Sequence, residues 1–207
     1  MTAEDLRFKE IEHKYLVDER FDLQRFRDLV ATLRPARTFS IRVRDRYFLT
    51  EIGRARRFLI RHRYDRELHQ LTVKTLQPDT EARVEVNLDL GHHAGDQQAQ
   101  VDAFLDQLGV EWKGTLHKDL EVWDFPDCEV VYYQASTDRR SARCVEFEAT
   151  RKDSLEGALA VVEKYERATG FDPGDRTRQP LIEIMFPDVI ALLAPSVNVS
   201  GIDADSQ

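Results

Sequence analysis

Charged and apolar residues alternate in several short segments of the chain, and the first of these is KEIEHKYL near the N-terminus. A β-strand sends successive side chains to opposite faces. Glu10, Glu12 and Lys14 would therefore share one face, with Ile11 and Tyr15 on the other. Eight segments have strand-like patterns: 7–17, 38–50, 56–64, 68–76, 82–90, 114–124, 129–136 and 143–151. Short polar connections predict antiparallel hairpins between them.

Other segments have apolar residues at helical spacing. They are 22–33, 97–108 and 154–169. Pro35 follows the first segment, Gly109 ends the second and Gly170 ends the third, as expected of residues that terminate helices. Helices interspersed among antiparallel strands predict an α+β fold.

The length of the chain, 207 residues, allows one substantial core and does not require a second domain. We predict a single domain over 1–187 and a partly disordered C-terminal tail over 188–207. No run of about twenty apolar residues is present, and the N-terminus is charged from Glu4, so we expect neither a membrane span nor a signal peptide. The expected location is the cytoplasm.

The overall charge argues against extensive binding to DNA. Acidic residues outnumber basic residues 38 to 30, which gives a net charge of −8. Basic residues nevertheless cluster at 42–46 and 54–66, so a local anion site is compatible with this charge. Cys128 and Cys144 lack the spacing of a zinc motif.

Later strands repeat the pattern of the first one, with one charged face and one apolar face. The charged faces carry Arg61 and Arg63, then Lys74, then Arg83, Glu85 and Asn87, and finally Glu146 and Glu148. Two architectures fit this pattern. An open sheet could leave its charged face in water. Alternatively, eight strands could close into a barrel with the charged faces inside and helices on the apolar outside.

The identity of the charges favours the barrel, because arginine pairs lie on one strand and glutamate pairs on another, with few neutral residues between them. Enclosing ionised groups costs several kcal/mol each unless they are paired or meet a ligand. A polyphosphate with divalent cations would satisfy both signs of charge. Arginine and lysine bind phosphate oxygens, while carboxylates bind Mg²⁺ or Mn²⁺.

The charged strands resemble those of the CYTH superfamily, the triphosphate tunnel metalloenzymes. The matching elements are ExExK at Glu10, Glu12 and Lys14, an R-x-R at Arg61 and Arg63, LTVK ending at Lys74, R-x-E at Arg83 and Glu85, and E-x-E at Glu146 and Glu148. The segment FLDQLGVEWKGTLHKDLEVW, which passes through Gly109, is also similar to the second half of the family. The resemblance covers roughly residues 5–187 in order and spacing.

This resemblance implies an eight-stranded antiparallel tunnel with helices outside, and a divalent-metal-dependent reaction on a triphosphate. The implied metal ligands are Glu10, Glu12, Glu146 and Glu148. Glu85 would hold a second ion or position the attacking water, so Glu10, Glu12 and Glu85 are the predicted catalytic residues. The predicted substrate-binding residues are Lys14, Arg61, Arg63, Lys74, Arg83, Lys118 and Arg178.

The sequence departs from the family pattern at several positions. Asn87 replaces an acid that many members carry, and Leu120 replaces a cation that often follows the residue aligned with Lys118. The strand EVVYYQA lacks a common Asp, and Arg178 occupies the place of a late basic or tyrosine residue. These changes are compatible with altered substrate choice, slow turnover or binding without catalysis.

The leading hypothesis is hydrolysis of inorganic tripolyphosphate or of a nucleoside or thiamine triphosphate, with Mg²⁺ or Mn²⁺ as cofactor. The alternatives are a class IV adenylate cyclase, a noncatalytic triphosphate- or polyphosphate-binding protein, and a barrel without a ligand. The expected partner is a small molecule with a triphosphate, and no DNA or membrane partner is expected. The oligomeric state stays open, with a homodimer among the options.

Overall fold

The strands join into one antiparallel sheet in the computed structural model, which describes residues 6–76 and 82–193. The strands are β1 (Lys9–Glu10), β2 (Glu12–Val17), β3 (Arg37–Thr50), β4 (Phe58–Tyr64), β5 (His69–Thr75), β6 (Arg83–Asp89), β7 (Val110–Asp124), β8 (Cys128–Ser136) and β9 (Ser141–Ala149). Their order in the sheet is β1-β6-β5-β4-β3-β7-β8-β9-β2.

The two edges of this sheet are parts of one N-terminal segment, which closes the sheet into a nearly complete barrel. Glu10 on β1 pairs with Arg83 on β6, whereas Glu12 on β2 pairs with Glu148 on β9. The segment switches partners at Ile11, whose carbonyl accepts a hydrogen bond from the amide of Ala149 at 3.0 Å. The predicted barrel is confirmed, with nine strands in place of eight because Ile11 divides the first predicted strand in two.

Helices surround the barrel. They are α1 (Leu23–Thr32), α2 (Glu51–Arg56), α3 (Gln98–Asp106), α4 (Leu155–Thr169), α5 (Leu181–Met185) and α6 (Pro187–Leu193), with a 3₁₀ turn at Pro173–Asp175. The predicted helices correspond to α1, α3 and α4. Helices α2, α5 and α6 were not predicted, because five to seven residues are too few for a clear helical period. None of the described helices is long and apolar enough to cross a membrane.

The apolar faces of the strands point outward and are covered by the three longer helices. Phe26 of α1 and Val162 of α4 pack in one cluster with Tyr15 and Phe147 from the strands. On the opposite side, Val101 and Leu105 of α3 pack against Phe48 and Ile60. Burial of this outer face leaves the alternate, largely charged positions of each strand inside the barrel.

One end of the barrel is filled by the last helices. Leu181 and Met185 of α5 and Val189 of α6 pack with the strand residues Leu59 and Leu116. The packed part of the chain therefore continues past residue 187, into a segment that the sequence analysis assigned to the tail. Residues 194–207 of the predicted tail lie outside the described residues.

Candidate active site

A cavity of about 350 Å³ lies inside the barrel, and its wall contains nearly all of the predicted site residues. These are Glu10, Glu12, Lys14, Arg61, Arg63, Lys74, Arg83, Glu85, Lys118, Glu146 and Glu148. Arg178 is the exception, since it is exposed and lies outside the lining of this cavity. Alternation along the strands therefore brings side chains from distant parts of the sequence to one enclosed space.

Strand register determines which charges become neighbours. Glu12 is directly opposite Glu148, and Lys14 is directly opposite Glu146, so all four share the inner face of the β2–β9 pair. The ammonium of Lys14 lies 3.1 Å from Glu12 Oε1 and 3.0 Å from Glu146 Oε1. Tyr133 donates a hydrogen bond to Glu146 at 2.7 Å, which orients that carboxylate further.

A second network connects β1, β4, β5 and β6. The Lys74 ammonium lies 2.7 Å from a carboxylate oxygen of Glu10 and 2.7 Å from one of Glu85. Arg61 lies 3.4 Å from Glu85, and Arg83 forms an ion pair with Glu12. The inner wall is therefore a continuous set of alternating positive and negative groups.

Burial and charge act in opposite directions on these groups. Burial lowers the pKa of Lys74, but Glu10 and Glu85 outweigh burial and raise it overall. The pKa of Glu85 shows the converse: burial raises it, and Lys74 with Arg61 brings it well below its usual range. Lys74 and Glu85 are therefore both ionised at neutral pH.

Two acids have raised pKa values. Burial, followed by the charge of Glu10, raises the pKa of Glu148 to about 8. Its cationic neighbour Lys152 is 3.5 Å away. Burial and the neighbouring Asp124 raise the pKa of Glu129 to about 7. These carboxyl groups have too little positive charge nearby to ionise fully at neutral pH, so they could accept a further cation.

Asp45 is part of this site, although the sequence analysis did not select it. It is fully buried and accepts two hydrogen bonds from Arg63, at 2.6 and 2.7 Å, while Lys118 lies 3.3 Å away. Burial would raise the pKa of Asp45, but Arg63 and Lys118 hold it well below its usual range. The stretch RVRDR reads as a basic run, yet alternation places Asp45 on the opposite face from Arg44 and Arg46.

Glu129 was missed as well. It lines the cavity and lies opposite Glu148 in the register of β8 with β9. It is the only acid in the segment EVVYYQA, so no repeated charge marks this position in the sequence. Its alternation with Val131 and Tyr133, which also line the cavity, was the available indication.

The substituted positions of the family pattern also lie inside the cavity. Asn87 lines the wall, and its Oδ1 accepts a hydrogen bond from the Thr72 hydroxyl at 2.7 Å. Leu120 lines the wall opposite Tyr133. The two departures therefore change the chemistry of the enclosed space itself.

Comparisons with known proteins identify the fold. No protein-family model matches the chain, and no curated protein matches it. A solved structure from Pyrococcus horikoshii has a TM-score of 0.66 at 15% identity, covering 85% of this chain and 99% of that chain. A proposed adenylate cyclase from Bacillus halodurans has a TM-score of 0.57 at 19% identity, covering 86% and 97%. A proposed adenylate cyclase from Vibrio parahaemolyticus has a TM-score of 0.59 at 12% identity, covering 88% and 98%.

The chain shares the fold of these proposed adenylate cyclases, a nearly closed antiparallel barrel with helices outside. The fold predicted from the charged strand motifs is therefore confirmed. At these identities the similarity concerns the fold, and the chemistry of this tunnel has to be argued from its own residues.

The donor chemistry of the tunnel suits a hard divalent cation, because Glu10, Glu12, Glu146 and Glu148 all offer carboxylate oxygens. Within residues 6–76 and 82–193, no group of three or more His, Cys, Asp or Glu side chains is arranged to hold a metal. Glu10, Glu12 and Glu146 instead contact Lys74, Arg83 or Lys14. A metal would therefore bind by displacing the ammonium and guanidinium groups that contact these carboxylates.

The balance of charge in the tunnel also indicates that divalent cations would bind together with a triphosphate. Among the described lining residues, six acidic side chains accompany six basic ones. A triphosphate alone would add several negative charges to a wall whose acidic and basic groups balance when Glu129 and Glu148 are ionised. Divalent cations entering with it would restore the balance.

Proposed function

We propose that the protein is a divalent-metal-dependent hydrolase that cleaves a triphosphate inside the tunnel. The observation that carries this proposal is the enclosed wall of alternating cations and carboxylates contributed by separate strands. Such a wall is costly to bury without a ligand of matching charge. A triphosphate with its metal ions supplies both signs of charge in one small ligand.

The phosphate chain would be held by Lys14, Arg61, Lys74 and Arg83. Arg63 and Lys118 also line the cavity, but both contact Asp45. Arg61 supports this role directly, because its buried Nε has no hydrogen-bond partner within the described part of the chain. A phosphate oxygen would satisfy that donor and form a charge-assisted hydrogen bond. These contacts would position the phosphate chain and stabilise charge that develops as a phosphoryl group leaves.

Glu10, Glu12, Glu146 and Glu148 would hold Mg²⁺ or Mn²⁺. When bound, the ion supplies charge neutralisation and polarisation of phosphoryl oxygens. The lysines and arginines that now contact these carboxylates would then be available to phosphate oxygens. Binding would thus exchange one set of ion pairs for another, which avoids leaving any buried charge without a partner.

Glu85 would hold a second ion or orient the attacking water. Lys74 and Arg61 keep the pKa of Glu85 low despite its burial, so it would act mainly as a hydrogen-bond acceptor. It lies 2.7 Å from Lys74 and 3.4 Å from Arg61, both proposed phosphate ligands. This position would place an oriented water next to the bound phosphate chain.

A class IV adenylate cyclase is the second candidate, and the fold similarity to two proposed adenylate cyclases is the observation that favours it. A noncatalytic triphosphate-binding protein is the third. Asn87 favours it, because an amide at this position supplies no negative charge for a second ion.

Product identity separates these candidates. The purified protein would be incubated with tripolyphosphate, ATP or thiamine triphosphate and Mg²⁺ or Mn²⁺, and the products followed by phosphorus NMR. We expect orthophosphate, which disappears when the metal is chelated. Pyrophosphate with cyclic AMP would indicate the cyclase, and tight binding without any product would indicate the noncatalytic protein.

A further inference from the structure

Part of the tunnel wall is apolar, in contrast to the charged networks described above. Leu120 on β7 and Val131 on β8 line the cavity and are diagonal neighbours on the inner face, since Leu120 pairs with Tyr133 and Val122 pairs with Val131. Leu68 also lines the cavity, but it comes from the connection between β4 and β5. We call Leu120 and Val131 the apolar wall.

The cations next to the apolar wall are already neutralised. Lys118 shares the inner face of β7 with Leu120, and its ammonium lies 3.3 Å from Asp45. Arg63 donates two hydrogen bonds to the same carboxylate. Asp45 is fully buried and is not among the lining residues, so a metal in the cavity could not take it away from these cations.

The other cations are in a different situation. Lys14 and Lys74 contact carboxylates that line the cavity directly, including Glu146 and Glu10. A divalent cation bound by those carboxylates would free the lysines for phosphate. With Arg61 and Arg83, the cations available for phosphate therefore lie on β2, β4, β5 and β6. None of these strands is a neighbour of β7, which carries Leu120, whereas Val131 on β8 lies directly opposite Glu146 at the boundary of the charged side.

These observations determine which ligand fits both sides. Phosphate oxygens placed against Leu120 and Val131 would lose water without gaining partners, which is unfavourable. An organic group in the same place would bury apolar surface instead. The cavity volume of about 350 Å³ also falls within the range of small-molecule sites, about 300–1,000 Å³.

We propose that the substrate is an organic triphosphate and not inorganic tripolyphosphate, and that its organic group lies against the apolar wall while its phosphates lie among the cations of β2, β4, β5 and β6. This inference rests on the proposed function of the same site. It assigns Leu120 as a specificity-determining residue, with Asp45 as the positioning residue that keeps Lys118 and Arg63 from binding additional phosphate.

Binding measurements test the inference without turnover. Titration calorimetry with Mg²⁺ would compare the β,γ-imido analogues of ATP and thiamine triphosphate with inorganic imidotriphosphate. We expect at least one organic analogue to bind about tenfold more tightly than the inorganic one. Leu120→Arg should shift this ratio about tenfold or more toward the inorganic analogue, because it adds a charge-assisted phosphate contact.

Two variants serve as controls. Leu120→Met retains an apolar wall and should preserve the ratio of the wild-type protein. Phe104→Arg adds the same charge at an outer position that is 59% exposed, and it should also leave the ratio unchanged. Both variants report whether the shift depends on charge at position 120 and not on net charge or altered packing.

The outcomes distinguish this inference from the hydrolase proposal. Equal or tighter binding of the inorganic analogue by the wild-type protein would overturn the inference, and so would a Leu120→Arg ratio matching that of Phe104→Arg. Efficient hydrolysis of tripolyphosphate alongside such a result would leave the triphosphatase proposal intact. Selective organic binding with no product from any triphosphate would overturn the hydrolase and support the organic ligand. Absence of binding to every analogue would overturn both.

Discussion

Glu12 and Glu148 lie directly opposite each other where β2 pairs with β9, at the point where the barrel closes. Like charges at directly opposed positions destabilise a strand pair. The pair is relieved in part because burial, with the charge of Glu10, raises the pKa of Glu148 to about 8. Ionised Glu148 would therefore destabilise the β2–β9 strand pair, and a cation bound between Glu12 and Glu148 would remove this repulsion.

Glu148→Gln should stabilise the protein while abolishing metal-dependent hydrolysis. The pKa of Glu148 is raised by folding from 4.5 to about 8, so its contribution to stability decreases as pH rises through that window. Because 35% of the side chain is exposed, we expect a gain of only about 1 kcal/mol at pH 8. Urea unfolding at pH 5 and pH 8 measures the effect, and an unchanged difference between these pH values in the variant would contradict it.

Arg61→Ala should reduce kcat/KM for the triphosphate about 10²- to 10³-fold, because a buried donor for the phosphate would be lost. Arg61 donates to Thr72 at 3.1 Å and lies 3.4 Å from Glu85. Arg54→Ala is the matched control, since Arg54 pairs with Glu111 on the surface. Initial rates of triphosphate hydrolysis measure the effect, after circular dichroism has verified that both variants fold. Similar rates for the two variants would be incompatible with the proposed role of Arg61.

Asp45→Asn should destabilise the protein by about 3–5 kcal/mol, because it leaves two buried cations without their carboxylate. The effect should diminish as pH falls below 3.8, the ordinary pKa of the group, since the folded-state pKa is lower still. Asp119→Asn is the comparison, because it removes an exposed ion pair with Arg42 that is worth at most about 1 kcal/mol. Chemical denaturation measures the free energy of unfolding of both variants. Equal decreases would contradict the role of Asp45 as the buried partner of Arg63 and Lys118.

His62 should make the protein less stable in mild acid. Its Nε2 lies 3.2 Å from His69 Nε2, and Gly91 O accepts from His69 Nδ1 at 2.5 Å. His62 therefore donates from Nε2, and its Nδ1 accepts from Arg46 at 3.3 Å. This arrangement requires both rings to be neutral.

Burial, then Arg46 and His69, lowers the pKa of His62 from 6.5 to about 4, although Asp96 and Asp102 act in the opposite direction. The unfolded chain takes up the proton first, so stability should fall as pH decreases from 6.5 to about 4. His62→Gln should remove about one proton from the uptake that accompanies unfolding in this pH range, so the free energy of unfolding should depend less on pH. An identical pH slope in the variant and the wild-type protein would exclude His62 as the cause.

The strand pattern predicted one charged and one apolar face for each strand, and the identity of the charges, with the resemblance to the CYTH superfamily, favoured a barrel over an open sheet. Glu12, Arg61 and Glu146 were identified by their alternation with apolar neighbours, and all three line the cavity. The pairing of Glu12 with Glu148 was beyond the sequence, because register depends on how distant strands align.

Residues that act singly were harder to predict. Asp45 lies within a basic run, and Glu129 is the only acid of its segment, so neither forms a repeated motif. Helix α6 was missed for a related reason: Val189 and Leu193 are a single helical turn apart, and their packing partners, including Met185 of α5, belong to other elements of the fold. Tertiary contacts, and not local patterns, determine these features.

The rate of Mg²⁺-dependent phosphate release by Glu12→Gln, compared with Glu19→Gln and the wild-type protein, tests the central claim most directly. Glu12 lies in the tunnel wall beside Lys14 and Arg83, whereas Glu19 is exposed. We predict a loss of at least about 100-fold in Glu12→Gln and a normal rate in Glu19→Gln. Equal rates of phosphate release in all three proteins would contradict the account of the tunnel as the active site.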